Sequence, residues 1–202
     1  MAPDHYFSEN PGSDDKRQTI AVRLAGRDVE LTTAAGTFSP QRLDPGTKVL
    51  LDAVPSPPPR GSLLDLGCGW GPIALSAALQ SPELTVWAVD INSRSLDLTA
   101  LNAKALNLTS INAVTADDVP EHLRFDMVWS NPPIRVGKAA LHGLLETWLP
   151  RLADGGEAWL VVAKKLGADS LQKWLDEELP PDFITSRESN SKGYRVLKVK
   201  RG

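Results

Sequence analysis

The sequence predicts an α/β fold, a mostly parallel sheet with helices on both faces, preceded by a short N-terminal β-hairpin. Three observations carry this reading. After residue 61, short apolar runs alternate with helix-length amphipathic ones, the pattern of repeated βαβ units. The first of those runs ends in a cluster of glycines, Gly67, Gly69 and Gly71, as a strand-to-helix turn at a ligand crevice requires. A stiff connector, Pro55-Ser-Pro-Pro-Pro-Arg-Gly61, separates these units from what precedes them.

Each element follows in turn. Residues 1–18 are polar and turn-rich (Asn10-Pro-Gly-Ser-Asp-Asp15) and form a lead-in. Strands over 19–24 and 27–31 flank Ala25-Gly26 and make a hairpin. Gly36-Thr-Phe-Ser-Pro40 is a loop, and Asp44-Pro45 opens a helix to about Val54, with an N-cap and a proline at its first position. Strands are expected over 62–66, 84–89, 111–115 and 125–130, with helices to about Gln80, over 93–106 and over 138–152. A strand over 157–163 and a helix over 168–179 come next. Segments 183–187 and 194–200 close as a strand pair, which adds an antiparallel strand at one edge. The expected division is 1–60, hairpin and helix packed on the catalytic domain, and 61–202, the catalytic domain itself.

Composition narrows the classes. The 202 residues, 42% hydrophobic and 23% charged, suffice for one domain whose core needs no staples. A single cysteine, Cys68, excludes a disulfide framework and a Cys-rich zinc module. His5, His122 and His142 lie far apart, so no metal is expected. No apolar run approaches the roughly 18 residues of a membrane span, and the start lacks a basic n-region and an apolar h-region. A cytoplasmic protein without membrane contact, monomeric or weakly dimeric, is the expectation. Net charge is −3, yet Lys192, Arg195, Lys198, Lys200 and Arg201 follow one another with no acidic residue between them. Contacts to an RNA backbone are expected at that basic edge.

The glycine turn, Asp65-Leu-Gly67-Cys-Gly69-Trp-Gly71, lets the backbone approach a ligand closely, and the following helix N-terminus offers free N–H groups. Its D-x-G-x-G-x-G spacing differs from the G-x-G-x-x-G of a pyrophosphate cradle. Asp90, followed by Ile91, ends the next strand and faces the same crevice, where its carboxylate can accept both ribose hydroxyls of a nucleoside. Asp117 or Asp118, past the third strand, can address an adenine amino group. These features fit S-adenosylmethionine better than a nicotinamide dinucleotide. Cys68 reads as a small packed residue rather than a nucleophile, and Trp70 is the one tryptophan placed to touch the cofactor.

Ser130-Asn131-Pro132-Pro133-Ile134 follows the fourth of these strands, on the same edge. An exocyclic amine or amide nitrogen delocalises its lone pair and is a poor nucleophile. If the Asn131 side-chain oxygen and the Pro132 carbonyl each accept one N–H, the nitrogen is held towards tetrahedral geometry, its lone pair aimed at a methyl donor. Prolines fix the backbone and add no competing N–H. Arg135 and Lys138 beside this turn can meet phosphates, and a solvated helix start explains them equally well.

Further segments join these: His5-Tyr-Phe-Ser8, Gly36-Thr-Phe-Ser39, Asp44-Pro-Gly-Thr47, Asp90-Ile-Asn92, Gly137-Lys138, Lys165-x-Gly167-Ala168 and Gly193-Tyr194-Arg195-Val196. With them the chain resembles the methyltransferase small family of class I S-adenosylmethionine-dependent enzymes, which includes RsmC-type 16S rRNA guanine-N2 methyltransferases. The resemblance implies a Rossmann-like seven-stranded sheet with its last strand inserted antiparallel. It further implies that Phe38 and Thr47 close over the cofactor and that Asn131 and Pro132 hold the target amine. The candidate catalytic turn is Asn131, Pro132, Pro133 and Ile134. The candidate cofactor set is Phe38, Thr47, Asp65, Gly67, Cys68, Gly69, Asp90, Ile91, Asp117 and Asp118, with Asn131. Position 134 is Ile, where many relatives carry an aromatic that stacks on the substrate base, an interaction worth roughly 1–3 kcal/mol. The longer rRNA enzymes also carry a second, degenerate copy of the domain, for which this chain has no room.

The expected activity is therefore S-adenosylmethionine-dependent N-methylation, releasing S-adenosylhomocysteine, of a guanine exocyclic amine (N2) in RNA, with 16S rRNA of the small ribosomal subunit foremost. The alternative keeps the chemistry on a protein glutamine amide or on a tRNA or DNA amine. An NAD(P)-dependent oxidoreductase and a non-catalytic RNA-binding factor are the other two classes.

Overall fold

The computed structural model describes residues 14–202; the His5-Tyr-Phe-Ser8 segment and most of the polar lead-in lie outside them. Strands β1 (Arg17–Leu24) and β2 (Arg27–Ala34) form the expected hairpin. Its two turn residues, Ala25 and Gly26, both adopt positive φ, 49° and 76°, as the tight turn that matches strand twist demands. Leu24 and Leu31 bury against Trp70, Leu75 and Leu98. Asn102 fastens the hairpin to the main body, accepting from the Thr32 N–H at 2.8 Å and donating through Nδ2 to the Thr32 carbonyl at 2.9 Å.

Helix α1 (Pro45–Ala53) starts as read, with Asp44 accepting the Thr47 N–H at 3.0 Å and Pro45 opening the first turn. Alternation then sets in: β3 (Ser62–Leu66), α2 (Pro72–Gln80), β4 (Thr85–Val89), α3 (Ser93–Ala105), β5 (Ile111–Val114) and β6 (Phe125–Ser130). There follow α4 (Lys138–Trp148), β7 (Leu152–Ala163), α5 (Ala168–Glu178), β8 (Phe183–Ser191) and β9 (Tyr194–Arg201). One seven-stranded sheet has the order β5-β4-β3-β6-β7-β9-β8. Pairing is parallel from β5 to β7, and β9 is antiparallel to both its neighbours.

The strand pair at the end of the chain thus does more than add an edge. β9 enters between β7 and β8 because Val196, Leu197 and Val199 are fully buried, as a strand covered on both faces must be. β8, with the polar sequence Thr185-Ser-Arg-Glu-Ser-Asn190, takes the exposed edge. A second difference concerns α4, which stops at Trp148 rather than continuing to 152. Pro150 lacks an N–H and cannot continue the α ladder. The chain passes through a 3-10 turn, Leu149–Arg151, and Leu152 already pairs with Phe125. The pairing is then irregular up to Met127 and Glu157.

Both faces of the sheet are covered. Phe125, Val128, Leu160 and Leu197 pack with Trp148 of α4 and Leu175 of α5. Leu63, Trp129 and Val161 pack with Leu50 of α1 and Ala77 of α2. Among the described residues no helix is long and apolar enough to cross a membrane. The carboxyl ends of β3, β4, β6 and β7 converge on one edge of the sheet, and that edge is open.

Candidate active site

A cavity of about 720 Å³ occupies this edge, walled by the ends of β3, β4 and β6, by loop residues 37–40 and by the segment following β7. One end is built by the glycine turn. The Gly67 and Cys68 N–H groups both donate to the Val89 carbonyl, at 2.8 and 3.0 Å, stitching the turn to the end of β4. Gly71 adopts φ +92°, and a Cβ there would stand 2.9 Å from Thr99 Oγ1 on α3. Only glycine meets both conditions. The free N–H groups expected at the start of α2 are mostly spent. Pro72 has none, Ala74 donates to Asp65, Gly69 donates to Asp90 and Gly71 donates to the Cys68 carbonyl.

Carboxylates therefore supply what the amides do not. Asp65 is fully buried behind Leu66 and Gly67, which line the cavity. Its Oδ2 accepts the Ala74 N–H at 2.9 Å, and its Oδ1 has no partner among the described residues. Burial pushes this carboxyl up to about 8, against a smaller opposing effect of the Ala74 bond. Asp90 lines the cavity itself, and burial raises it too, partly offset by N–H groups of Asn92 and Gly69 at 2.9 Å each. A carboxylate offers about four acceptor positions, so both oxygens of Asp90 keep capacity for hydroxyl donors.

Ile91, beside it, is 54% exposed and lines the same wall. Phe38 arches over the turn from the loop after the hairpin; a Cβ on Gly69 would meet its Cβ at 3.9 Å. Asn92, buried, donates to the Gly36 carbonyl at 2.8 Å and caps α3 with its oxygen, which ties that loop to the end of β4.

At the other end stands the Asn-Pro-Pro turn. Asn131 Nδ2 donates to Asp44 Oδ2 at 2.9 Å and to Thr47 Oγ1 at 3.0 Å. Both amide hydrogens are engaged, so the side-chain carbonyl Oδ1 is what Asn131 presents to the cavity it lines. The Pro132 carbonyl accepts the Ile134 N–H at 2.8 Å and keeps one lone pair. Pro133 approaches the glycine turn, its Cδ 3.9 Å from where a Gly67 Cβ would lie. Thr47, buried, uses its hydroxyl on Asn131 and lines a narrow recess with Gly67, Cys68 and Gly69. Ile134 and Tyr194 line the same cavity. Tyr194 leans on the start of α1, where a Cβ on Gly46 would come within 2.8 Å of its ring. Its hydroxyl is pushed up by burial and by the Asp44 charge, with Arg135 acting the other way.

Most of the residues singled out in the sequence are thus gathered around one cavity. Asp117 and Asp118 stand apart: both are exposed, Asp118 accepts the Thr115 hydroxyl at 2.6 Å, and from their turn only Ala116 reaches the cavity wall. Cys68 is buried and its thiol is held well above the usual range by burial, the reverse of what a nucleophile needs. Trp70 packs in the hairpin-side cluster, its Nε1 donating to the Ser39 carbonyl at 3.3 Å, and it also borders the narrow recess beside Cys68 and Gly69.

The basic run also differs from expectation. Arg195 is buried and paired with Asp169, Lys198 pairs with Glu188 at 3.2 Å and Lys200 with Glu157 at 3.8 Å. Arg201 pairs with Asp154 and Asp182 at 3.3 and 3.4 Å. The acids come from β7, β8 and α5 and their connections, so strand β9 presents no bare basic edge. Sequence reasoning missed Asp44 and Tyr194 as site residues. Asp44 was legible as a cap and Tyr194 as part of a motif, with no signal that either would reach Asn131 or the cavity.

Comparisons with known proteins place the chain in a family and a fold. The sequence pattern of the methyltransferase small domain family matches residues 28–198. The chain is 34% identical over 201 residues to the uncharacterized protein YbxB of Bacillus subtilis, spanning 98% of both chains. It is 33% identical over 167 residues to ribosomal RNA small subunit methyltransferase C of Actinobacillus succinogenes, covering 80% of this chain and 48% of that one. The chain spans half or less of the length of the curated small subunit methyltransferases C that it matches. Among solved structures, the 16S rRNA methyltransferase RsmC of T. thermophilus, in complex with AdoMet and guanosine, superposes with a TM-score of 0.79 at 23% identity. That match covers 94% of this chain and 52% of the other, and it shows the shared fold.

Proposed function

The chain belongs to the methyltransferase small domain family, and from that premise we propose that it is an S-adenosylmethionine-dependent N-methyltransferase acting on the exocyclic N2 amine of a guanine in RNA, with small-subunit rRNA the foremost substrate. The observation that carries the proposal is the locked amide of Asn131, whose hydrogens are consumed by Asp44 and Thr47. An acceptor is thereby aimed into a cavity whose opposite end is lined by the carboxyl group of Asp90.

S-adenosylmethionine supplies an electrophilic sulfonium methyl when bound. The residues present suit it. Asp65 Oδ1, orphaned in burial, is the acceptor an ammonium would satisfy, and the Asp90 oxygens retain room for two ribose hydroxyls. Ile91 and Phe38 give apolar surface for the adenine ring. Asp117 and Asp118, on the turn beyond β5, are proposed for its amino group. Gly67, Gly69 and Cys68 keep the floor between these groups small.

At the amine, Asn131 Oδ1 and the remaining lone pair of the Pro132 carbonyl each accept one N–H. The nitrogen is drawn out of conjugation and its lone pair fixed in direction, so catalysis consists mainly of positioning. Transfer would break the S–CH3 bond as the N–CH3 bond forms, leaving the neutral thioether S-adenosylhomocysteine, and the nitrogen would then shed one of those two protons. Neither carbonyl is basic enough to keep it, and it passes to water. Tyr194 and Ile134 form the walls beside the base, Tyr194 supplying the aromatic surface that position 134 does not. The hairpin loop and α1 contribute Phe38, Asp44 and Thr47 to this proposed site, although the whole seven-stranded sheet lies after them in the chain.

Nucleoside mass spectrometry of rRNA from cells lacking the protein is the direct test. Loss of one N2-methylguanosine, restored by the wild-type chain, is expected. Label transferred from tritiated cofactor only to the protein fraction, with ribosomal subunits and naked rRNA unlabelled, would overturn the RNA reading while leaving methyl transfer in place.

A further inference from the structure

We infer, building on the reading that the substrate is RNA, that Arg135, Lys138, Lys164, Lys165 and Lys192 form a phosphate-binding rim around the substrate end of the cavity, and that this rim, rather than strand β9, holds the RNA backbone. Three observations place it there.

The first is position. Arg135 lines the cavity immediately after the Asn-Pro-Pro-Ile turn, and Lys138 opens α4 three residues on. Lys164 and Lys165 lie on the 3-10 turn after β7, between Ala163 and Leu166, which both line the cavity. Lys192 sits in the β8–β9 turn, which the Lys164 N–H joins by a 2.9 Å bond to the Gly193 carbonyl. Tyr194, two residues further, is again a cavity residue. Three separate connections thus bring basic side chains to the mouth that Asn131 faces.

The second is charge. All five side chains are exposed, and none of them forms an ion pair among the described residues. Arg195, Lys198, Lys200 and Arg201 are each matched by a carboxylate. An unmatched cation is free to displace counterions from a phosphodiester chain, whereas a matched one must first abandon its partner. The third is Leu166, which is 45% exposed between Lys165 and Gly167 and still faces the cavity. An apolar side chain left open to water beside unpaired cations suits a surface that covers a base or a sugar while gripping phosphate.

Filter binding of protein-free 16S rRNA across a salt series tests the rim. The triple variant Lys164→Gln, Lys165→Gln, Lys192→Gln is compared with the double variant Lys198→Gln, Lys200→Gln. Each lost phosphate contact lowers the slope of log affinity against log salt by about 0.7–0.9. The triple variant should therefore lose about two units of slope, and the β9 variant close to none. Melting temperature and S-adenosylhomocysteine affinity by calorimetry should match the wild type in the triple variant, which certifies that the cofactor end is intact. An unchanged slope in the triple variant, or an equal loss in the β9 variant, overturns the rim and leaves the RNA reading standing. Absence of salt-dependent binding by the wild-type chain itself, with methyl label appearing in protein, overturns both.

Discussion

The two ends of the cavity are assembled on different principles. At the cofactor end, the glycine turn, Asp65 and Asp90 belong to two neighbouring strands and their connections, and backbone bonds such as Gly67 N–H to Val89 O hold them at 2.8 Å. At the amine end, Asn131 is oriented by Asp44 and Thr47, 87 and 84 residues earlier in the chain, through side-chain bonds alone. The first end is set by strand register and so by the sheet as a whole. The second depends on how α1 docks over β7 and β9. Binding of a cofactor and activation of an amine should therefore respond separately to mutation.

Asn131→Ala is the most severe way to probe that separation. It removes the presented carbonyl and should lower methyl transfer by roughly a hundred- to a thousand-fold, on the scale of losing a preorganised polar group aimed at the reacting atoms. S-adenosylhomocysteine affinity, read by calorimetry, should stay within a few-fold. A parallel collapse of cofactor binding would show the two ends to be one unit.

Asp44 tests the same idea, because one oxygen serves both the helix cap and the Asn131 amide. Asp44→Ala should cost about 1 kcal/mol of stability for the lost cap and should also lower kcat, by roughly ten- to a hundred-fold, as Asn131 regains the freedom to flip. Asp44→Ser restores a capping oxygen too short to reach Asn131. Its melting temperature should recover while its kcat stays low. Recovery of both would deny Asp44 any positioning role.

Asp65 probes the cofactor end through pH. Its carboxyl is raised to about 8 in the folded chain against the ordinary carboxylate value near 4 when unfolded. Below pH 4 it is protonated in both states and the stability it contributes is fully present. As pH rises from about 4 to about 8, the unfolded chain releases the proton first, so the stability of the cofactor-free protein falls across that window and levels off above it. Asp65→Asn should flatten this decline in melting temperature and weaken cofactor binding, with kcat at saturating cofactor less affected than by Asp44→Ala. A decline of equal steepness in the variant would locate the titration elsewhere.

The smallest effect on the site itself is expected at Gly71. Alanine there meets both a positive φ and Thr99 Oγ1 at 2.9 Å, and should cost roughly 1–3 kcal/mol in chemical denaturation. Cofactor affinity should fall only modestly, since Gly67 and Gly69 rather than Gly71 border the cavity and its recess.

What could be read in the sequence follows the same division. Strand and helix succession, the hairpin turn at Ala25-Gly26, the Asp44 cap and the glycine turn are encoded within a few residues of one another, and each was legible. Contacts across the fold were not. The run from Lys192 to Arg201 reads as a basic edge until β9 is placed between β7 and β8, where Glu157 and Glu188 come opposite its lysines. The N–H groups at the start of α2 read as free until Pro72 and Asp65 are seen together. The early end of α4 was legible in Pro150, since the missing N–H needs no tertiary information to be noticed.

The shared oxygen of Asp44 has a thermal consequence. Helix ends fray at free energies well below that of global unfolding, and fraying of the first turn of α1 releases Asp44, Thr47 and with them the grip on Asn131. The Asn131 amide is thereby wired to one end of a nine-residue helix. On warming, turnover should fade several degrees before the sheet melts, and a ligand that seats on Asn131 should tighten that turn in return.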